Sequence, residues 1–146
     1  VPTPPAGDSS KRTANTEFVS NQIGSSAGTA MIEVIFDGGG AVIATGLKAY
    51  AEVSFTCTIV QAVLLSSVTS NLVANVWKTS YANFPPTSTS KITSVFPPTL
   101  ATAFASKDTT LSGWTTAINA GDILAFNIDS AQTATLATLS LTVKRQ

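Results

Sequence analysis

The sequence predicts an all-β protein: a jelly-roll-like two-sheet sandwich carrying an extended N-terminal arm. Three observations predict it. From Met31 onward apolar residues recur every second position, the period of a strand with one buried face. Turn signals interrupt that alternation about every 8–15 residues, the spacing of a sandwich or jelly roll and not of a βαβ fold. The chain is also rich in Thr, Val and Ile, which suit a pleated surface, and no stretch after residue 31 carries a helical stripe.

Residues 1–30 form the arm. Pro2, Pro4, Pro5 and Gly7 exclude a helix or a central strand over the first ten residues, so extended backbone is expected there. A short helix is expected over 16–23, where Phe18, Val19 and Ile23 share one side, and 24–28 read as a flexible joint. The arm has too little apolar surface to fold alone, so those three side chains need something else to bury against.

Residues 31–146 form the β module. In 32–37 one face carries Ile32, Val34 and Phe36, and Gly38-Gly39-Gly40 is a turn. A strand resumes over 41–45 and breaks at Gly46. Strands follow over 50–55 and 57–65, the latter apolar on both faces, as expected of a central strand or one covered by a second subunit. Another spans 72–78. The tandem prolines of 83–87 and 96–99 exclude ladder positions, so both are loops. A short strand is expected over 111–118 around Trp114, and 119–122 form a turn. Leu124, Phe126 and Ile128 share a face in 123–129, as do Ala137, Leu139, Leu141 and Val143 in 136–144. That makes roughly eight strands in about 115 residues.

Composition narrows the function classes. Eight Lys and Arg balance eight Asp and Glu, charged residues are only 11% of the chain, and Ser and Thr supply about a quarter of it. No long-range charge field exists to hold nucleic acid or an anionic membrane. A neutral, Thr-rich surface is weakly protected against self-association, which suits a protein that lives inside an assembly. With no His and a single Cys57, neither a Ser-His-Asp nor a Cys-His system can form, and zinc lacks its ligands. Cys57 reads as a buried, inert thiol. The start at Val1 fits either a removed initiator Met or a processed piece. The first residues have neither the basic nor the apolar region of a signal peptide, and the apolar run 59–65 is too short to span a bilayer.

Two strings carry a resemblance. The first runs through Val76-Trp77-Lys78, Tyr81-Ala82-Asn83-Phe84-Pro85-Pro86-Thr87 and Phe96-Pro97-Pro98-Thr99-Leu100. It continues with Gly113-Trp114-Thr115 and Ala120-Gly121-Asp122 and ends in Phe126-Asn127-Ile128-Asp129-Ser130-Ala131. It resembles a module of about 115 residues that ends many bacteriophage fibre and capsid-surface proteins, and covers 32–145. The second, Pro4-Pro5-Ala6-Gly7-Asp8-Ser9-Ser10 with Ala14-Asn15-Thr16-Glu17-Phe18-Val19, is similar to a segment of phage tail-fibre and head-fibre chains, with Asn15 where Thr is usual. The resemblance implies a virion structural protein at the particle surface, no enzyme and no cofactor, and a homotrimer. The two-faced apolar run agrees with the trimer.

Individual residues divide between functional and structural readings. Asp37, Asp108, Asp122 and Asp129 are carboxylates that calcium would use, but no calcium loop motif is present, and turn capping explains them. Paired carboxylates for glycoside hydrolysis would suit a depolymerising spike, but the acids are few and several sit in turns. The aromatics Trp77, Tyr81, Phe84 and Trp114 can stack on sugar rings. Structurally, Trp77 and Trp114 with Val60 and Leu64 are core or subunit contacts, and Phe84 with its prolines is a packed corner. Gly38-Gly39-Gly40 is no phosphate cradle, because neither Lys nor a helix follows.

Three functions compete. The first is a homotrimeric capsid decoration or cement protein whose arm, through Phe18, Val19 and Ile23, attaches to the major capsid protein or another virion protein. The second is the receptor-binding tip of a tail fibre, with a host surface glycan as partner. The third is a free-standing carbohydrate-binding β sandwich.

Overall fold

The structure, a computed structural model, describes residues 28–146. The short helix expected over 16–23 and the attachment residues Phe18, Val19 and Ile23 lie outside the described residues. The described residues are all-β, with seven strands: β1 (Thr29–Asp37), β2 (Gly46–Val53), β3 (Cys57–Thr79), β4 (Thr99–Asp108), β5 (Ala117–Ile118), β6 (Asp122–Ser130) and β7 (Leu136–Arg145). Every pairing is antiparallel. Among the described residues, no helix is long and apolar enough to cross a membrane.

The organising element is β3, 23 residues long. One of its edges pairs with β7 from Cys57 to Ser66 and with β6 from Val73 to Thr79. Its other edge pairs with β4, near Ala62–Leu65 and again near Ser70–Val73. A strand that changes partners in this way must leave one layer and enter another, so the sheet curls into a sandwich. One layer runs β1-β7-β3-β4, the other β2-β6-β3, and each strand's neighbours come from far away in sequence. With β3 counted as two half-strands, the arrangement is a two-layer sandwich that resembles a jelly roll only loosely. Both layers close on a single core. Phe36, Ile59, Leu139 and Leu141 come from the first, and Val76, Leu124, Phe126 and Ile128 from the second, all essentially buried.

The strand reading meets the structure closely at β1, β6 and β7. On β7, Ala137, Leu139, Leu141 and Val143 all point into the core. On β6, both faces are covered: Ile123 and Ala125 are buried on the side opposite Leu124 and Phe126. Elsewhere the structure corrects the reading: the strand expected over 50–55 runs from Gly46, the expected break, to Val53.

The strands expected over 57–65 and 72–78 are one, because the polar segment between them, Ser66–Thr69, continues the extended backbone across the layer change. The apolar character of both faces in 57–65 has a local cause. Ile59 pairs with Val143 and Gln61 with Thr142, so Val60 is an extra residue, a β-bulge. The bulge shifts the phase, and Cys57, Ile59, Ala62 and Leu64 all point inward.

The expected strand over 41–45 is absent. Ile43 is buried and donates its backbone N–H to the Ala134 carbonyl at 2.8 Å, a single tether in place of a ladder. The strand expected around Trp114 shrinks to Ala117–Ile118, since Trp114 lies in a turn whose N–H reaches the Leu111 carbonyl at 3.1 Å. Finally, β4 is a strand that the sequence reading does not assign. Its alternation is carried mostly by Ala, Thr and Ser, with Leu100 its buried apolar anchor.

Candidate functional site

The outer face of the second layer is built from cross-strand rows. Tyr50 pairs with Ala125, which pairs with Trp77; Glu52 pairs with Ile123, which pairs with Thr79. Tyr50 and Glu52 are two apart on β2, so they point to the same side. The chain leaving β3 at Thr79 folds into a 3-10 turn, Tyr81–Asn83, where the Phe84 N–H donates to the Tyr81 carbonyl at 3.3 Å. A 3-10 turn repeats every three residues, so Tyr81 and Phe84 fall on one side of it. The Phe84 ring stands against Tyr50 with centroids 4.9 Å apart and planes at 70°. The result is a cleft of about 580 Å³ lined by Tyr50, Glu52, Tyr81, Phe84 and Ile123. Tyr81 is 80% exposed, and Tyr50 and Phe84 close to half.

The rest of the long motif string ties β3 to β5 and β6 and the 80–98 segment to the sheet. The Lys78 ammonium donates to the Ala117 carbonyl at 2.6 Å and lies 3.7 Å from Asp122. The Trp114 indole N–H donates to the Phe96 carbonyl at 2.7 Å. The Asn75 amide donates to Asp129 at 2.5 Å and accepts from the Thr93 hydroxyl at 2.7 Å, while Thr93 in turn accepts the Val76 N–H at 3.0 Å. Lys91 closes the group, 3.8 Å from Asp129. Asn75 and Thr93 are buried, so these bonds satisfy groups that would otherwise be costly to enclose.

Each residue singled out in the sequence now has a place. Leu64 is in the core, whereas Val60, on its bulge, is 37% exposed and is no core contact of this chain. Trp114 packs at the margin of the core. Trp77 is half-buried on the outer face beside Lys91, and its enclosed indole N–H has no hydrogen-bond partner. Phe84 is not a packed corner: its ring is open to solvent on the cleft side. The aromatics therefore divide, with Trp77 and Trp114 belonging to the architecture and Tyr81 and Phe84 to a surface. Sequence reasoning missed Tyr50 and Glu52, which come from a strand some thirty residues earlier and reach the cleft only through the β2–β6 register.

Asp37, Asp108 and Asp122 behave as caps, whereas Asp129, within β6, caps no turn and accepts the Asn75 and Asn127 side-chain amides. Asp37 accepts the Gly39 N–H at 2.7 Å, Asp108 the Thr110 and Leu111 N–H groups at 2.8 and 3.1 Å, and Asp122 the Asn119 N–H at 2.9 Å. Among the described residues no three acidic or Cys side chains gather as a metal site would require. Burial pushes the Cys57 thiol above its ordinary pKa, away from the reactive thiolate.

The outer face of the first layer is of another kind. Its rows are Met31–Thr142–Gln61, Glu33–Ser140–Val63–Lys107 and Ile35–Thr138–Leu65–Ala105, with Asp37–Leu136 at the edge. Met31 and Ile35 are about 60% exposed, and Leu65 and Leu136 over 40%. Glu33 on this face is engaged by the Ser140 hydroxyl at 2.6 Å.

No known family model and no curated protein matches the chain. A solved structure described as "CBM4 structure and function" is similar at 13% identity over 80% of this chain and 84% of that one, with a TM-score of 0.30. So loose an overlap assigns this chain no ligand, and its fold rests on its own strand pairing.

Proposed function

We propose that the chain is a non-catalytic structural protein of a bacteriophage virion, displayed at the particle surface as a homotrimer. The observation that supports this reading is the open outer face of β1, β7, β3 and β4. It is a four-stranded plane of Thr, Ser and exposed Met31, Ile35, Leu65 and Leu136, with few charges. Exposed large apolar side chains on several strands, with little charge to keep copies apart, favour burial against other copies, which in a trimer turns this face toward the three-fold axis. The motif string supports the phage assignment by resemblance. Copies meet through this face, and the arm, with Phe18, Val19 and Ile23, attaches the trimer to the major capsid protein. Burial of three such side chains contributes about 1.5–3 kcal/mol each before ordering costs, and three arms add avidity. The test is removal of residues 1–24. The shortened chain is expected to remain folded and trimeric and to lose binding to emptied heads. Full decoration by the shortened chain would move the docking surface to the sandwich.

A second reading, the receptor-binding tip of a tail fibre, is favoured by one specific observation: the cleft of Tyr50, Tyr81 and Phe84. A protein that only cements a shell has no use for three solvent-facing rings converging beside a carboxylate. Location separates the readings: labelling of the protein on purified particles marks either the head shell or the fibre tips.

A further inference from the structure

We propose that the cleft of Tyr50, Tyr81, Phe84 and Glu52 binds a quaternary ammonium group of the kind carried by choline esters. This deepens the recognition reading and rests on it. The argument begins with the shape. Tyr50 and Phe84 meet at 70°, so they form a corner of two walls and not a single flat platform. Tyr81, on the same side of the turn as Phe84, supplies a third ring. A sugar ring lays its C–H face on one parallel aromatic face and draws its specificity from several convergent hydrogen-bonding groups. Here the lining offers Glu52 and two phenol hydroxyls, with Ile123 and ring carbon making up the rest. A quaternary ammonium has no N–H to satisfy and no flat face. It is attracted to the negative face of each surrounding ring, and rings at steep angles enclose it best. Glu52 then provides the counter-charge.

The charge inventory agrees. The cation–ring contact recorded among the described residues is Arg145 over Phe55, at 4.6 Å, away from the cleft. Lys78 is engaged by Asp122 and Ala117, and Lys91 by Asp129. The cleft is thus a concave aromatic site carrying a carboxylate; Lys78 and Lys91 are committed elsewhere, and Lys48, on β2 before Tyr50, is exposed and does not line the cleft.

The test is a titration of the full chain, followed by NMR of the aromatic and β2 resonances, with tetramethylammonium, phosphocholine, the neutral choline isostere 3,3-dimethyl-1-butanol, and a panel of methyl glycosides. The two ammonium probes are expected to saturate the cleft, with the neutral isostere about tenfold weaker or worse. Tyr81→Ala should weaken tetramethylammonium about tenfold, and Glu52→Gln about threefold or more, both without a change in melting temperature, since both side chains are exposed. Equal binding of the isostere overturns the inference, because shape alone would then suffice. Saturation by a glycoside without binding of tetramethylammonium also overturns it, while leaving the recognition reading standing. No shift at Tyr50 or Tyr81 with any probe overturns both.

Discussion

The two outer faces of this sandwich are made by the same fold and differ in almost every other respect. That of β1, β7, β3 and β4 is a bare pleated plane of Thr, Ser and scattered large apolar side chains. That of β2, β6 and the end of β3 is flanked by the 80–98 segment, which is bonded along the β3 edge by Ile92 and Pro98 and held by Thr93 to Asn75, Lys91 to Asp129 and Phe96 to Trp114. The recognisable motif string belongs almost wholly to the second face. What looks like a functional signature is mostly the wiring of one long loop, and only Tyr81 and Phe84 turn from that wiring toward solvent. The plain face has no motif because a flat contact needs only alternation and a lack of charge.

The sharpest contrast lies within one strand. Leu64→Asp places an unpaired charge in the core and should cost on the order of 4 kcal/mol, enough to unfold the chain in a thermal melt. Val60→Asp, four residues earlier, stands on the bulge, and in an isolated chain should cost less than about 1 kcal/mol. If the two variants melt alike, Val60 is covered in the assembled protein.

The next largest effect belongs to the wiring. Asn75→Ala leaves the buried Thr93 hydroxyl without its acceptor, while Asp129 keeps Asn127 and Lys91, and should cost about 1–3 kcal/mol by denaturant unfolding. Trp77→Phe removes an enclosed N–H that has no acceptor, so the loss of ring area is offset and the variant should stay within about 1 kcal/mol of the parent. A larger loss would show that the indole N–H finds a partner in the assembly. Smallest is the effect at Cys57. A maleimide should leave the native chain unlabelled and react fully once it is unfolded, because the thiol is buried with its pKa raised.

The inward faces of β1, β6 and β7 are legible in the sequence because their large apolar residues alternate without interruption. The extent of β3 is not. Ser66, Ser67 and Thr69 read as a break, yet they form the polar outer surface of a strand changing layers. The bulge at Val60 hides in the same way, since one inserted residue makes a half-buried strand look apolar on both sides. β4 escapes because Ala and Thr carry its alternation, and 41–45 mislead because a single buried Ile43 mimics a ladder. The cleft is legible only in part: Tyr81 and Phe84 stand out as aromatics able to stack on a ligand, but the prolines beside Phe84 read as a packed corner and hide its exposure. Tyr50 and Glu52 are set beside them by long-range register, which no local pattern encodes.

Sedimentation equilibrium of the full chain and of an Ile35→Asp, Leu65→Asp double variant tests the assembly of the plain face directly. Both side chains are exposed and lie in one cross-strand row, so the variant chain should keep the parent's fold by circular dichroism while melting lower because it no longer assembles. The parent is expected to sediment at three times its 15.0 kDa chain mass and the variant as a single chain. A parent that stays monomeric across the concentration range, or a variant that remains trimeric, would contradict the assignment of this face as the contact between copies.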